Sequence, residues 1–563
     1  MKPRALLAPL AAVVAAVLVL TACAGLPTSG DVNAVPAATA DAQAPDFAFI
    51  PNGPQKGSTP AQIVEDFIRA ASGPGDDWAT AKLFLTPSFR ERWQPNAGVT
   101  IDALAERQPA EEGEGTVTWR VTPRASVDAD GSYAPTDGGT TTLPFSLEQQ
   151  ADGEWRISQA PDGILLDEDL FRTVFHAYSL MFFDPQWEYL VPDIRWFPTV
   201  NAATRIAGEL VGGTPSPWLA GSVVTAFPET VALGAPSVPV TDGGIARVEL
   251  VDGALLVDPT TLGRMKAQLD ASLATVTGVT GVALTAGGAS LSVSAADTLP
   301  TRVDSRALVI SAAGLGFVAG TELDPLTTLA AAAGSVDPVS LEVSADRTVG
   351  AALLRDGTVA RLQADGQALA VDERTGLLDP TLDPAGYVWS VPEEHPTELI
   401  AVGPLGERAA IQSAWLGATR IDAMQMSRDG TRLAAVVSIG GRTVVEVAGV
   451  VRDVSGAPVS LGTPVTLAAV DGLGIDVGWL DDATIGVLAG PAEAPVLLSQ
   501  QVGGLSSTIA APARAVSLAG VNLPTAVRLR DADGVLYTRR SSTWQQTGTG
   551  VDVLVTQHGE PEH

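Results

Sequence analysis

The segment Val343–Leu353 has the sequence VSADRTVGAAL, and Met426–Val437 repeats its pattern as MSRDGTRLAAVV. Each combines a short polar turn with an apolar run of strand length. Ser427 follows Ser344 by 83 residues, and a related segment, Tyr387–Ser390, lies between them. The repeat is therefore about 42 residues long, close to the ~40–45 residues of a four-stranded propeller blade.

The region that contains this repeat covers residues 301–563 and is expected to be an all-β propeller. Helical periodicity is absent from it, and further blade-like segments occur at Val477–Leu480 and Ala526–Tyr537. About 250 residues at this period allow five or six blades. A long β-sandwich is the competing all-β architecture. A polar tail that contains His558 and His563 is expected at the end of the region.

Residues 59–167 are expected to form a small α+β domain with a sheet curled around a helix. The segment Thr59–Gln62 has the residues of a capping box with proline at the first helical position. Apolar residues follow at helical spacing, and a second helix is predicted over Trp78–Leu85. Alternation of apolar and polar residues from Val117 to Val121 then predicts a strand.

Residues 168–300 are expected to form a second α+β domain. The predicted elements are a strand, two helices and a hairpin, at Phe171–Phe183, Asn201–Leu210, Pro259–Val276 and Val279–Val293. Asp258 precedes the second helix and is predicted to cap it.

The N-terminal residues 1–22 are predicted to be a signal peptide. Their apolar run is shorter than the about 20 residues that span a bilayer. The run ends at Leu20, Thr21, Ala22 and Cys23, which resemble a lipobox, the signal peptidase site of bacterial lipoproteins. Cys23 is the predicted lipid attachment site, because it is the only cysteine and no disulfide can account for it. An ordinary signal peptide with a chance cysteine is the alternative.

Residues 23–58 are predicted to be a flexible tether with a reach of roughly 30 Å. The expected location is the cell membrane, with the protein anchored by lipid on its extracytoplasmic face. No later segment has the length and composition of a membrane span. The net charge of −30 argues against nucleic acid as a ligand, since phosphates require basic surfaces.

A search for catalytic and metal-binding motifs predicts no catalytic residue, metal or cofactor. The histidines are too far apart for a metal-binding helix motif, and Cys23 has no partner cysteine. Asp128–Gly131 and Asp531–Gly534 have too few carboxylates for calcium loops and are predicted to be hairpin turns. Glu111–Glu114 is predicted to be a solvated loop. Packing between blades is predicted for three tryptophans, Trp389, Trp479 and Trp544.

Four short motifs resemble the LpqB lipoprotein family of actinobacteria. They are CAGLPTSG at Cys23–Gly30, LVPDIR at Leu190–Arg195, TAFP at Thr225–Pro228 and MKAQL at Met265–Leu269. The last three resemble a GerMN domain, and the order of domains agrees with that of the family. The resemblance implies an accessory protein of the MtrAB two-component system that acts on the extracytoplasmic part of the sensor kinase MtrB.

The sequence is compatible with two functions. The first is a non-enzymatic regulatory lipoprotein, for which an exposed apolar or aromatic patch is expected. The alternative is an envelope protein that binds or hydrolyses cell-wall polymer. A hydrolase would require a cleft with two suitably spaced carboxylates.

Overall fold

The computed structural model describes residues 51–561 except 114, 137 and 321. Along the chain these residues form an N-terminal domain, a middle domain and a propeller. Within this described part, no helix is both long enough and apolar enough to cross a membrane.

The N-terminal domain packs three helices against two four-stranded sheets. The helices are α1 Pro60–Ala70, α2 Gly75–Lys82 and α3 Pro87–Arg90. The strands are β1 Gly98–Asp102, β2 Gln108–Gly113, β3 Thr116–Val121, β4 Pro123–Asp128, β5 Tyr133–Pro135, β6 Thr141–Gln149, β7 Trp155–Gln159 and β8 Ile164–Asp167. The sheet orders are β5-β4-β1-β8 and β2-β3-β6-β7.

The predicted start of α1 is confirmed, whereas the prediction for α2 is shifted. Thr59 and Gln62 form both hydrogen bonds of the capping box. The second helix begins at Gly75 and ends at Lys82, not at Leu85. Leu85 instead forms a parallel bridge with Ile157, and backbone pairing with β7 replaces the last helical turn.

The middle domain contains a two-stranded sheet, a three-stranded sheet and three helices. Its elements are α4 Glu168–Val174, β9 Phe175–Phe183, β10 Leu190–Pro198, α5 Ala202–Gly212, β11 Ile245–Leu250, α6 Pro259–Leu273, β12 Gly281–Ala286 and β13 Ala289–Ser290. Strands β9 and β10 pair antiparallel, while β11 and β12 pair parallel and β13 returns antiparallel to β12.

The strand predicted over Phe171–Phe183 is wrong in its first part. Asp167 Oδ1 accepts hydrogen bonds from the backbone N–H groups of Asp169 and Leu170, at 3.1 and 3.0 Å. This cap starts α4, so Phe171 is helical and the strand begins only at Phe175. The predicted cap at Asp258 is confirmed by the same type of contact at the start of α6.

The propeller consists of six sheets, here named blades 1 to 6 in chain order, of which blade 4 has five strands and the others have four. Blade 1 contains β14 Leu308–Ser311, β15 Gly314–Ala319 and β16 Glu322–Pro325, and helix α7 Thr327–Gly334 follows. Blade 2 contains β17 Pro338–Val343, β18 Val349–Leu354, β19 Val359–Gln363 and β20 Ala368–Asp372. Blade 3 contains β21 Thr381–Leu382, β22 Val388–Ser390, β23 Ile400–Val402 and β24 Arg408–Ala410.

Blades 4 to 6 follow the same order. Blade 4 contains β25 Ala418–Met426, β26 Arg432–Ile439, β27 Arg442–Arg452, β28 Pro458–Leu461 and β29 Val465–Val470, the last two both paired with β27. Blade 5 contains β30 Gly474–Trp479, β31 Thr484–Ala489, β32 Val496–Gln501 and β33 Ser506–Ala510. Blade 6 contains β34 Ala515–Ala519, β35 Arg528–Asp531, β36 Leu536–Arg540 and β37 Thr543–Gly548, and β38 Val551–Gln557 follows.

Strand β38 closes the ring by serving as the first strand of blade 1. It pairs antiparallel with β14 and, at its end, parallel with β17. The first strands β38, β17, β21, β25, β30 and β34 contact one another in cyclic order. The fold class is thus confirmed, with six blades. Helix α7 corrects the expectation of a helix-free region: the alanine-rich segment Leu329–Ala333 has high helix propensity but is too short to show periodicity.

The two faces of the propeller follow from strand direction. Neighbouring strands of a blade run antiparallel, so the first–second and third–fourth turns lie on one face. The second–third turns and the connections between blades lie on the opposite face. We name the face with the first–second and third–fourth turns the docked face. We name the face with the second–third turns and the connections between blades the open face.

Candidate functional site: the domain junction and the propeller channel

Arg195, in β10, connects the middle domain to the N-terminal domain. Its side chain is 1% exposed, with Nη1 2.8 Å from Asp130 Oδ2 and Nη2 2.9 Å from Asp193 Oδ2. The guanidinium also donates to the carbonyl oxygens of Asp130 and Thr214, at 3.2 Å each. A buried cation requires such partners, so this network specifies one arrangement of the two domains.

The acidic side of this network comes from the turn Asp128–Gly131. The predicted hairpin turn is confirmed, between β4 and β5, but the sequence did not reveal its contact with Arg195. Burial, followed by the hydrogen bond with Asp130, raises the pKa of Asp128 to about 6. Burial also acts to raise the pKa of Asp130, but hydrogen bonds with Asp128 and Ser132 and the charge of Arg195 hold it below its usual value.

Trp196, the next residue of β10, connects the middle domain to the propeller. Its Nε1–H donates to the carbonyl oxygen of Gly503 at 3.0 Å, in the third–fourth turn of blade 5. Ala483 and Leu505, also in docked-face turns of blade 5, pack against the core that contains Trp196. A cavity of about 220 Å³ lies beside these contacts and is lined by all three domains. One strand therefore holds together the N-terminal domain, the middle domain and the propeller.

A further contact extends this junction to blade 4. Arg428, in the first–second turn of blade 4, donates through Nη1 to the carbonyl oxygen of Thr301 at 3.3 Å. Thr301 belongs to the segment that links the middle domain to the propeller. This segment is also bound to the middle domain, because Leu299 N–H donates to Glu188 O at 2.8 Å. These contacts lie on the docked face, over blades 4 and 5.

Carboxylates join neighbouring first strands around the central channel. Three carboxylates among the described residues accept a hydrogen bond from a backbone N–H of the next blade: Glu342 from Leu382 at 2.9 Å, Asp422 from Gly474 at 2.8 Å and Asp476 from Leu518 at 2.7 Å. These bonds give the three carboxylates a structural role between the blades.

Two of the channel carboxyls have raised pKa values. Burial, reinforced by the nearby charge of Asp379, raises the pKa of Asp476 to about 8. Asp379 is exposed to the space inside the ring, where desolvation by the surrounding strands and the charge of Glu342 likewise raise its pKa. Both line a cavity of only about 120 Å³. Ligand sites usually measure ~300–1,000 Å³, so this space is too small for a polysaccharide chain.

Asp476→Asn should reduce the loss of stability at alkaline pH. The folded pKa lies above the unfolded value, so the contribution of the protonated carboxyl is fully present in acid and is lost as pH rises to about 8. We expect the thermal midpoint of the wild-type propeller to fall between pH 6 and 9 by more than that of the variant. Differential scanning calorimetry checks this, with the exposed Asp471→Asn as control. Equal falls in all three proteins would contradict the assignment.

His558 corrects the prediction of a polar tail. It is 4% exposed, and its Nε2 lies 2.6 Å from Glu342 Oε2. Its backbone N–H donates to Val343 O at 3.0 Å. Pairing of β38 with β17 brings the residue after the strand into the interior, which no local pattern indicates. His563 lies outside the described residues.

The other predicted sites are only partly covered by the structure. Leu20, Thr21, Ala22 and Cys23 lie outside the described residues. Glu111–Gly113 belongs to the exposed edge strand β2 and not to a loop. The packing of Trp389, Trp479 and Trp544 between blades is confirmed. No group of three or more histidine, cysteine, aspartate or glutamate residues in the described ranges could hold a metal ion.

Three family models match successive parts of the chain. Residues 53–172 match "Lipoprotein LpqB, N-terminal domain", residues 179–292 match "Sporulation and spore germination", and residues 314–554 match "Lipoprotein LpqB beta-propeller domain". The chain belongs to the LpqB lipoprotein family. The GerMN prediction for the middle domain is confirmed by the second of these models.

LpqB relatives with similar sequences come from several actinobacteria. Lipoprotein LpqB of Cutibacterium acnes is 25% identical over 595 residues, covering 96% of this chain and 97% of its own. That of Bifidobacterium longum is 27% identical over 463 residues, 78% of each chain. That of Rhodococcus opacus is 33% identical over 264 residues, 46% of this chain and 42% of its own.

Among solved structures, the TolB protein of Acinetobacter baumannii is similar at a TM-score of 0.31 and 13% identity. The similarity covers 44% of this LpqB chain and 64% of TolB. A similarity at that score supports no further argument.

Proposed function

We propose that this chain is a lipid-anchored envelope protein that regulates an MtrB-like sensor histidine kinase by binding to it, without catalysis. The observation that carries the proposal is the junction at β10. Arg195 and Trp196 hold three domains in one arrangement through buried polar contacts. Three domains held in one arrangement can present a fixed surface to the kinase. If this surface binds one of the two signalling states of the kinase more tightly, it shifts the equilibrium toward that state.

The cell-wall alternative receives less support. A hydrolase requires an acid pair that a polymer can reach. The exposed Asp379 and the partly buried Asp476 line a cavity of about 120 Å³, which is too small to admit a polymer chain, and Asp476 accepts a backbone hydrogen bond that gives it a structural role. Polymer binding without hydrolysis stays the second candidate.

Cys23→Ala is expected to release the protein from the membrane fraction. A diacylglyceryl thioether supplies two acyl chains, which retain a protein far better than one. Fractionation of cells followed by immunoblotting measures the release, with Cys23→Ser as a second non-lipidated variant. Retention of both variants through a high-salt wash would contradict lipid anchoring at this residue.

Reconstitution tests the regulatory proposal. The kinase is placed in liposomes, and its autophosphorylation is measured with the lipidated protein, with Cys23→Ala protein and with neither. Confinement to one surface raises effective concentration, so the lipidated form should act at lower total concentration. A coupling of ~1–3 kcal/mol would change the ratio of the two signalling states of the kinase 5- to 150-fold, and the autophosphorylation rate follows the population of the active state. An unchanged rate, together with no kinase crosslink in cells, would remove the regulatory function and favour polymer binding.

A further inference from the structure

The open face of the propeller is accessible around the whole ring. An exposed residue stands in the second–third turn of every blade: Ala312, Asp356, Glu394, Gly440, Glu493 and Asp533. The contacts of Trp196 and Arg428 described above lie on the other face. The open face is therefore the side that the junction leaves available to a partner.

A depression of about 830 Å³ marks this face where the ring closes. It lies between blades 6, 1 and 2 and is lined by Arg355, Asp533, Asp552 and the end of helix α7. Arg530 lines both this depression and the channel cavity that holds Asp379 and Asp476. The depression thus adjoins the acidic mouth of the channel.

The charges of the open face are unbalanced. Two of its arginines have carboxylate partners, since Arg355 Nε lies 2.6 Å from Asp337 Oδ2 and Arg514 Nη1 lies 2.6 Å from Asp533 Oδ2. Arg442 and Arg530 add two positive charges, which the exposed carboxylates of this face outnumber. Further exposed carboxylates stand on the same side: Asp356, Glu373, Asp471, Glu493 and Asp552. The face consequently has surplus negative charge.

We propose that the open face is the partner-binding surface and that it receives a protein surface rich in lysine and arginine, a loop of which enters the depression. This inference rests on the proposed function, because it names the surface through which the kinase is bound. A basic partner surface complements the surplus carboxylates, and such complementarity accelerates encounter and fixes orientation. The depression has the volume of a site that can enclose a side chain or a short loop.

Photo-crosslinking in cells tests the location. A photoreactive residue is placed in the full lipidated chain at Ala312 or Glu493 on the open face, or at Asp365 or Val454 in exposed turns of the docked face. Kinase adducts, identified by mass spectrometry, are expected from the first two positions and not from the last two. Kinase adducts formed only from Asp365 and Val454 would overturn the proposal. Adducts of the open-face positions with cell-wall polymer or lipid, and none with the kinase, would overturn it as well.

Charge reversal tests the chemistry. The double variant Asp552→Lys with Glu493→Lys should reduce kinase capture and kinase response at least about fivefold, and Asp365→Lys should leave both unchanged. Thermal midpoints within two degrees of wild type, about what a surface change allows, establish that the variants fold. If the wild-type chain alters the kinase and the double variant acts equally well, this proposal fails while the regulatory function stands. If the wild-type chain neither alters nor crosslinks to the kinase, both fail.

Discussion

Arg195→Ala is expected to lower the free energy of unfolding by about 3–5 kcal/mol, the usual cost of removing one partner from a buried ion pair. The variant leaves Asp193, with a side chain 3% exposed, without its cationic partner. It also removes the hydrogen bonds to the carbonyl oxygens of Asp130 and Thr214. Urea unfolding followed by tryptophan fluorescence measures the loss.

A surface arginine provides the matched control for this prediction. Arg514 pairs with Asp533, and the two side chains are 47% and 61% exposed. Arg514→Ala should cost less than about 1 kcal/mol, because water screens and replaces the interaction. Arg195→Lys should give an intermediate loss, since it keeps the charge but not the planar fork of donors. Equal losses for Arg195→Ala and Arg514→Ala would contradict a structural role for the junction.

A chain that stops after Gly550 is expected to lose the whole folded propeller. The missing β38 leaves β14 and β17 with unpaired edges and removes the apolar residues Val553 and Val555 from the core. An open ring has no other strand to cover these edges. Limited proteolysis with mass spectrometry should show a resistant N-terminal and middle fragment and rapid digestion of blades 1 to 6.

The control for the truncation is a chain that stops after His558. It keeps β38 and the contact between His558 and Glu342, so its propeller should resist protease as in the full chain. A compact, resistant propeller fragment from the shorter chain would show that closure by β38 is not required.

Local signals were sufficient for much of the fold. Thr59 and Gln62 predicted the start of α1, and Asp258 predicted that of α6, because capping involves residues adjacent in sequence. The repeat at Val343–Leu353 and Met426–Val437 predicted the blades, because each blade uses the same turn between its first two strands. In both copies the serine donates to the aspartate two residues later.

The predictions failed in two apolar segments, one decided by a distant strand and the other by a local cap that was not recognised. Leu85 leaves its helix to pair with Ile157, and Phe171 lies in a helix because Asp167 caps it. Both segments are apolar, and periodicity alone cannot distinguish a buried helix from a buried strand over so few residues.

The candidate site was missed although part of its signal is local. Asp193 and Arg195 stand in an apolar strand beside Ile194 and Trp196, and such charges must be paired when buried. That pattern was available in the sequence and indicated a buried ion network. Its third member, Asp130, comes from another domain and could not have been identified from spacing. His558 was missed equally, since its partner Glu342 lies 216 residues earlier in the chain.

The use of β38 as the first strand of blade 1 has a consequence for biosynthesis. A ribosome produces β14 near the beginning of the propeller and β38 after every other strand, so the ring cannot close until nearly all of it has been made. Until then β14 and β17 expose unpaired backbone groups that invite proteolysis and aggregation. Completion of the ring is a late step between strands distant in sequence, and such steps are slow. An interrupted or stalled chain would consequently leave an unfinished propeller that quality-control proteases can recognise by its open edges.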